Sequence, residues 1–150
     1  MTLQEKINQD LKEAMKAGEK ERTQVLRFIL AQIHNREIEK RSKGQEGALS
    51  EEEALEVLNK EVKKRKEALE LFRRSGRADL VGKEEKELTF FGGYLPEPIS
   101  NQEIEAAVED ILKKGGRDFG LVMKEAKARL GSRADGKILS EIVKAKLGKV

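Results

Sequence analysis

Cysteine and tryptophan are absent from the 150 residues. Without cysteine there is no disulfide framework, no thiolate zinc site and no thiol nucleophile. Histidine occurs once, so any serine–histidine relay would have to be built on His34. Proline occurs twice and tyrosine once, and aromatic residues make up only 4% of the chain. No apolar run approaches the ~18 residues of a membrane-spanning helix. The opening MTLQEKINQD lacks the basic-then-apolar layout of a secretory signal. Neither G-x-x-x-x-G-K-[ST] nor a strand-linked G-x-G-x-x-G is present to cradle a phosphate. These absences lead to the expectation of a soluble, cytoplasmic protein with no membrane partner, no cofactor and no metal.

Charge is what the chain has in excess. Charged residues are 39% of the sequence, against about 25% in an average domain. The formal net charge of +3 is modest, but it is unevenly spread. Residues 1–112 hold 20 Lys and Arg against 24 Asp and Glu, a net of −4, whereas residues 113–150 hold 11 against 4, a net of +7. A basic segment attached to a slightly acidic body is a recognised signal of a polyanionic partner.

Abundant Ala, Leu, Glu, Lys and Arg favour helices, and helical periodicity recurs along the chain. Thr2 and Glu5 form a capping box at the start of a first helix that carries Leu3, Ile7, Leu11, Ala14 and Met15 and stops at Gly18. A second helix is predicted from about Lys20 to Arg41, with Val25, Leu26, Ile29, Leu30 and Ile33 on one face. The stretch SKGQEGALS reads as a loop. Ser50 and Glu53 repeat the capping box and open a third helix with the seam Leu55, Leu58, Val62, Arg65, Leu69 and Phe72, stopped at Gly76. A fourth is predicted over roughly Asp79 to Phe91, with Leu80, Leu88 and Phe91 inward, and Gly92-Gly93, Pro96 and Pro98 end it. Ser100 and Glu103 suggest a third capping box, opening a fifth helix that buries Ile104, Ala107, Val108, Ile111 and Leu112. A sixth runs from about Asp118 to Leu130 and a seventh starts near Asp135. No segment shows strand alternation. The expectation is an all-α protein: an N-terminal, four-helix bundle-like domain over residues 1–96 and a small, basic three-helix tail domain over 97–150, with Tyr94 and Pro96 shaping the junction.

The runs VLRFILAQIHN, LNKEVKKRKEALELF, GRADLVGKEEKEL, YLPEPIS and FGLVMKEAK, followed by GSRADGKILSEIVK, resemble in that order the YqeY family. Members of that family are similar to the C-terminal helical and tail regions of the GatB subunit of tRNA-dependent amidotransferases. The turns Tyr94-Leu95-Pro96 and Ala134-Asp135-Gly136-Lys137 carry the most specific part of the resemblance. Phe90-Phe91-Gly92-Gly93 departs from it, since relatives keep good helix formers up to the tyrosine. The resemblance implies a two-part helical protein; that it has no activity alone is expected from the lack of any acid/base, nucleophile, metal or nucleotide constellation in the sequence. In the amidotransferase, a carbon–nitrogen ligase with glutamine as amide donor, the related tail touches the tRNA while other parts do the chemistry.

Few side chains suggest a site. His34 near Glu37 offers two ligands from one helix, too few to hold a metal. Glu51, Glu52 and Glu53 open a helix, where the macrodipole favours negative charge. Arg65 lies on an apolar seam, where a cation must be paired or must reach water along its stem. Because the resemblance covers both Arg65 and Glu87, a partly buried bridge between them is expected to pin the third helix to the fourth; an RNA- or ligand-contacting arginine is the alternative. The basic tail is the strongest functional lead. Lys124, Lys127, Arg129, Arg133 and Lys137 lie on or beside the sixth helix and the turn after it, with Lys144 and Lys146 beyond, and such groups suit phosphate oxygens. The start of the seventh helix offers N–H groups to a phosphate. Phe119, the lone aromatic there, is assigned to the core, so any RNA would be read by shape and backbone. The expected function is therefore a non-catalytic module binding tRNA or another structured RNA, acting alone or docked on a translation-related protein partner. The alternatives are an accessory of a glutamine-dependent carbon–nitrogen ligase and a protein-interaction module without an RNA role.

Overall fold

The computed structural model describes residues 1–148. Among them the chain is all-helical: α1 (Leu3–Lys16), α2 (Lys20–Ser42), α3 (Glu51–Arg74), α4 (Ala78–Thr89), α5 (Asn101–Lys113), α6 (Phe119–Leu130), a 3-10 turn at Gly131–Arg133, and α7 (Gly136–Gly148). It divides into two compact units, Met1–Leu95 and Pro96–Val150.

In the first unit the sequence-local signals act as their chemistry requires. The Thr2 hydroxyl accepts from the Glu5 N–H, and the Glu5 carboxylate returns to the Thr2 N–H. Ser50 and Glu53 do the same for α3. The Glu51 carboxylate also accepts the Leu3 N–H at 3.1 Å, so the first turn of α3 satisfies an orphan donor of α1. The core is formed by Leu3, Ile7 and Ala14 of α1, Val25, Leu26, Ile29 and Ile33 of α2, Ala54 and Leu58 of α3, and Phe91. Two polar side chains are also nearly enclosed: Thr23 at 8% exposure and Glu61 at 7%, the latter with Lys64 one turn on at 3.6 Å.

The end of α4 differs from the expected Phe91. The helix stops at Thr89 and supplies no fully buried residue of its own. Phe91 nevertheless reaches the core at 1% exposure, because the chain turns there: Phe91 N–H bonds to Leu88 O, and Tyr94 N–H to Phe91 O. Gly92-Gly93 permits the turn where helix formers would have continued the helix. The Tyr94 hydroxyl donates to the Asp10 carboxylate. Burial first, and then that carboxylate, push the Tyr94 phenol well above its usual range.

The second unit packs α5, α6 and α7 about Ile104, Val108, Ile111, Val122, Ala126, Leu139 and Val143. Its capping corrects the sequence reading in one place. The Ser100 hydroxyl accepts the Glu103 N–H at 3.2 Å, but no return bond from Glu103 is found, so only half of the expected box forms.

Candidate nucleic-acid interface

The basic residues of the second unit do not act as one set. Arg129, near the end of α6, reaches Asp110 of α5 at 2.8 Å. That guanidinium, with Lys114 at 3.7 Å, holds the Asp110 carboxyl below the usual carboxylate range. Lys146 of α7 binds Glu109 of α5 at 2.5 Å and is raised above an ordinary lysine by that carboxylate. Arg133 turns its Nε toward the Glu97 carbonyl at 3.4 Å. The acids of α5 thus neutralise part of what the tail sequence displays. Residues 96–150 as a whole hold 11 Lys and Arg against 9 Asp and Glu.

What remains open is narrower. Lys124 and Lys127 on α6 and Lys137 on α7 are exposed, and among the described residues no carboxylate pairs with them. Lys124 and Lys127 stand three apart on α6, so they share one side of the helix, off the Val122 and Ala126 positions that face the core.

The start of α7 is not available as a phosphate site. Asp135 Oδ1 accepts the Lys137 N–H at 2.7 Å and the Ile138 N–H at 3.3 Å. An own carboxylate occupies the donors that a phosphate would need. Asp118 does the same for α6, taking the Leu121 N–H at 3.0 Å.

Phe119 corrects the sequence reading most. Its angular position matches the core side of α6, but as the first residue of the helix it sits a turn before the buried Val122. It is 39% exposed, and Lys144 Nζ lies 5.7 Å from its ring centroid. Leu121 beside it is 65% exposed. Helical periodicity alone misses this, because period gives the side of a helix and not whether a core extends to its end.

In the first unit, Arg65 packs between aromatic rings. Its guanidinium carbon lies 5.4 Å from the Phe28 centroid and 5.2 Å from that of Phe91. It bonds to the Glu87 carboxylate and has Glu84 at 3.6 Å. Arg65 Nε and Glu84 Oε2 are buried without a hydrogen bond. The Arg65 side chain is 15% exposed, so this is an internal clamp; from sequence Phe91 is expected inward, but neither ring is read as a partner of Arg65. His34 is exposed on α2 with Glu37 at 3.7 Å. Among the described residues no three His, Cys, Asp or Glu side chains come together in a metal-holding arrangement. A surface cleft at the α1–α2 turn is lined by Glu19, Arg22, Lys86 and Phe90, but Arg22 is engaged by Glu19 at 3.2 Å and Lys86 by Glu21 at 2.6 Å.

A family model described as Yqey-like protein matches residues 4–147. The chain is 36% identical over 99 residues to an uncharacterized protein of Schizosaccharomyces pombe, covering 66% of this chain and 76% of that one. It is 33% identical over 108 residues to altered inheritance of mitochondria protein 41, mitochondrial, of Lachancea thermotolerans, covering 71% of this chain and 56% of that one. A shorter stretch of 60 residues is 42% identical to a glutamyl-tRNA(Gln) amidotransferase subunit of Aeropyrum pernix, covering 35% of this chain and 9% of that one. The expected cytoplasmic location is corrected by these comparisons, since relatives from three fungi are named as mitochondrial proteins. A highly charged helical surface suits any aqueous compartment and so does not set an address. No described helix is long and apolar enough to cross a membrane. The chain belongs to the YqeY-like family.

Proposed function

We propose that this YqeY-like chain is a helical module that binds tRNA or another structured RNA through its sugar–phosphate backbone, using the second unit. The observation that carries the reading is the set of exposed lysines left without a carboxylate, Lys124, Lys127 and Lys137, in a segment where Arg129 and Lys146 are held by acids of α5. Unpaired lysines bind phosphate without first breaking an internal ion pair, and they release counterions from the polyanion when they do. The stretch shared with a protein named as a glutamyl-tRNA(Gln) amidotransferase subunit supports tRNA as the first RNA to try. It also favours a second reading, an accessory of an amide-transferring assembly, which an ammonia-transfer assay with and without an amidotransferase core would reveal.

The test is the salt dependence of tRNA binding. Changing Lys124, Lys127 and Lys137 together to Ala should weaken binding and lower the slope of log K against log salt by about 2 to 3, at roughly 0.7–0.9 per phosphate contact. The control is Lys12, Lys16 and Lys20 changed to Ala in the first unit, removing equal charge. Equal losses in both triple variants would mean bulk charge and no site. No binding of wild type to any structured RNA at low salt would reject the reading.

A further inference from the structure

We infer that Phe119 is a stacking platform for one unpaired nucleobase of the bound RNA. The inference rests on the RNA reading above and deepens it. Phe119 is the only aromatic residue of the second unit. It opens α6 just beyond the reach of the core, and 39% of it faces solvent. Completing its burial would stabilise the unit, as it would any large apolar side chain, yet the neighbouring sequence is Gly115-Gly116-Arg117, which brings no apolar cover.

The groups around the ring are those that a nucleotide needs. Lys144 Nζ lies over one face of the ring, 5.7 Å from its centroid, so a base would stack on the other face, or displace the ammonium, which then stays near enough to meet that nucleotide's phosphate. Arg117, two residues before Phe119, is exposed and has no ion-pair partner among the described residues. The carboxylate of the preceding residue, Asp118, accepts the Leu121 N–H and caps the helix. Leu121 adds exposed apolar surface two residues along. An aromatic face flanked by cations is the arrangement that holds single-stranded nucleotides, because every base has a π-face and every nucleotide a phosphate. A paired base has both faces covered in its helix, so the occupant is an unpaired base in a loop, bulge or end. Lys127 lies eight residues further along α6, about 12 Å at 1.5 Å per residue. A strand whose base sits on Phe119 can therefore extend toward the Lys124–Lys127 side of the helix.

The test compares the full chain's binding to a hairpin RNA with an unpaired loop and to a blunt duplex of equal charge. Wild type should prefer the hairpin. Phe119→Leu keeps an apolar side chain without a π-face, and should lower hairpin affinity roughly tenfold or more, the scale of one base–aromatic stack, while leaving duplex affinity unchanged. Phe119→Trp should keep the hairpin preference. As the chain has no other tryptophan, its emission should be quenched by the hairpin and not by the duplex. Unchanged hairpin binding by a folded Phe119→Leu protein, or an unquenched tryptophan with hairpin bound, overturns the inference and leaves the lysine reading standing. Failure of wild type to bind either RNA overturns the RNA reading and this inference with it.

Discussion

Arg65 shows how one residue can join several elements. Its stem lies on the α3 seam, its guanidinium is held between Phe28 of α2 and Phe91 after α4, and its charge answers Glu84 and Glu87 of α4. Removing it deletes packing against two rings and leaves two poorly hydrated carboxylates beside each other. Arg65→Ala should therefore lower the unfolding free energy by about 3 kcal/mol, near the cost of breaking a buried pair and well above the ~1 kcal/mol of an exposed one. Arg65→Lys should recover only part of this, since an ammonium cannot lie flat between two rings while meeting a carboxylate. A chemical-denaturation midpoint unchanged in Arg65→Ala would refute the clamp. Asp110 offers a test of opposite kind, at the surface. Its carboxyl is depressed first by Arg129 and then by Lys114, so its contribution to stability is fully present above the unfolded value of about 3.9 and is lost as pH falls through the lower folded value. Arg129→Gln should move the Asp110 midpoint, followed by side-chain carboxyl NMR, upward toward the ordinary range. An unmoved midpoint would show that Arg129 does not set it. Arg65 is legible in the sequence as a cation on an apolar seam; its two rings and Glu84 are not, because they come from distant segments that no local period relates.

At the scale of elements, the legible parts are those decided within one turn of chain. The capping boxes of α1 and α3 and the glycine stops need only neighbours three or four residues away. The half-formed box at Ser100, the short α4 and the open end of α6 depend on what packs nearby, which is why periodicity overextends α4 and places Phe119 inside. Glu61 is similar: its spacing from Leu58 puts it near the seam, but only the packing of α2 against α3 encloses it. Two glycines of the second unit make the local rules testable. Gly131 ends α6 at φ 63° and ψ −152°, a region open essentially to glycine alone. A Cβ there would meet nothing within 4 Å, so Gly131→Ala should cost about 1–3 kcal/mol through backbone strain only. Gly136 opens α7, is absent from the positive-φ glycines, and also has free space for a Cβ. Gly136→Ala should instead stabilise by about 0.4–1 kcal/mol by restricting the unfolded chain. Thermal melts of the two variants moving in the same direction would refute the contrast.

At the scale of the whole molecule, the chain carries two cores that share no residue. Their sizes differ: the first unit has 95 residues and the second, Pro96–Val150, has 55. Surface-to-volume scaling makes a unit of about 60 residues marginal, since it buries a smaller fraction of its unfolded surface than a larger one. The second unit also has no aromatic side chain in its core and relies on Ile, Val, Leu and Ala. Pro96 and Pro98 prevent a helix from running between the units and transmitting cooperativity through a continuous backbone ladder. The expected outcome in calorimetry is two transitions, the second unit melting at the lower temperature. Each substitution then reports on its own transition: Gly131→Ala should shift only the lower one, and Arg65→Ala only the upper. Tightly bound tRNA should raise the lower transition, by mass action on the unit that holds it, and leave the upper where it was. A single transition moved equally by both substitutions would mean that the chain unfolds as one cooperative body. A tRNA-dependent rise confined to the upper transition would move the RNA site to the first unit and away from Lys124, Lys127 and Lys137.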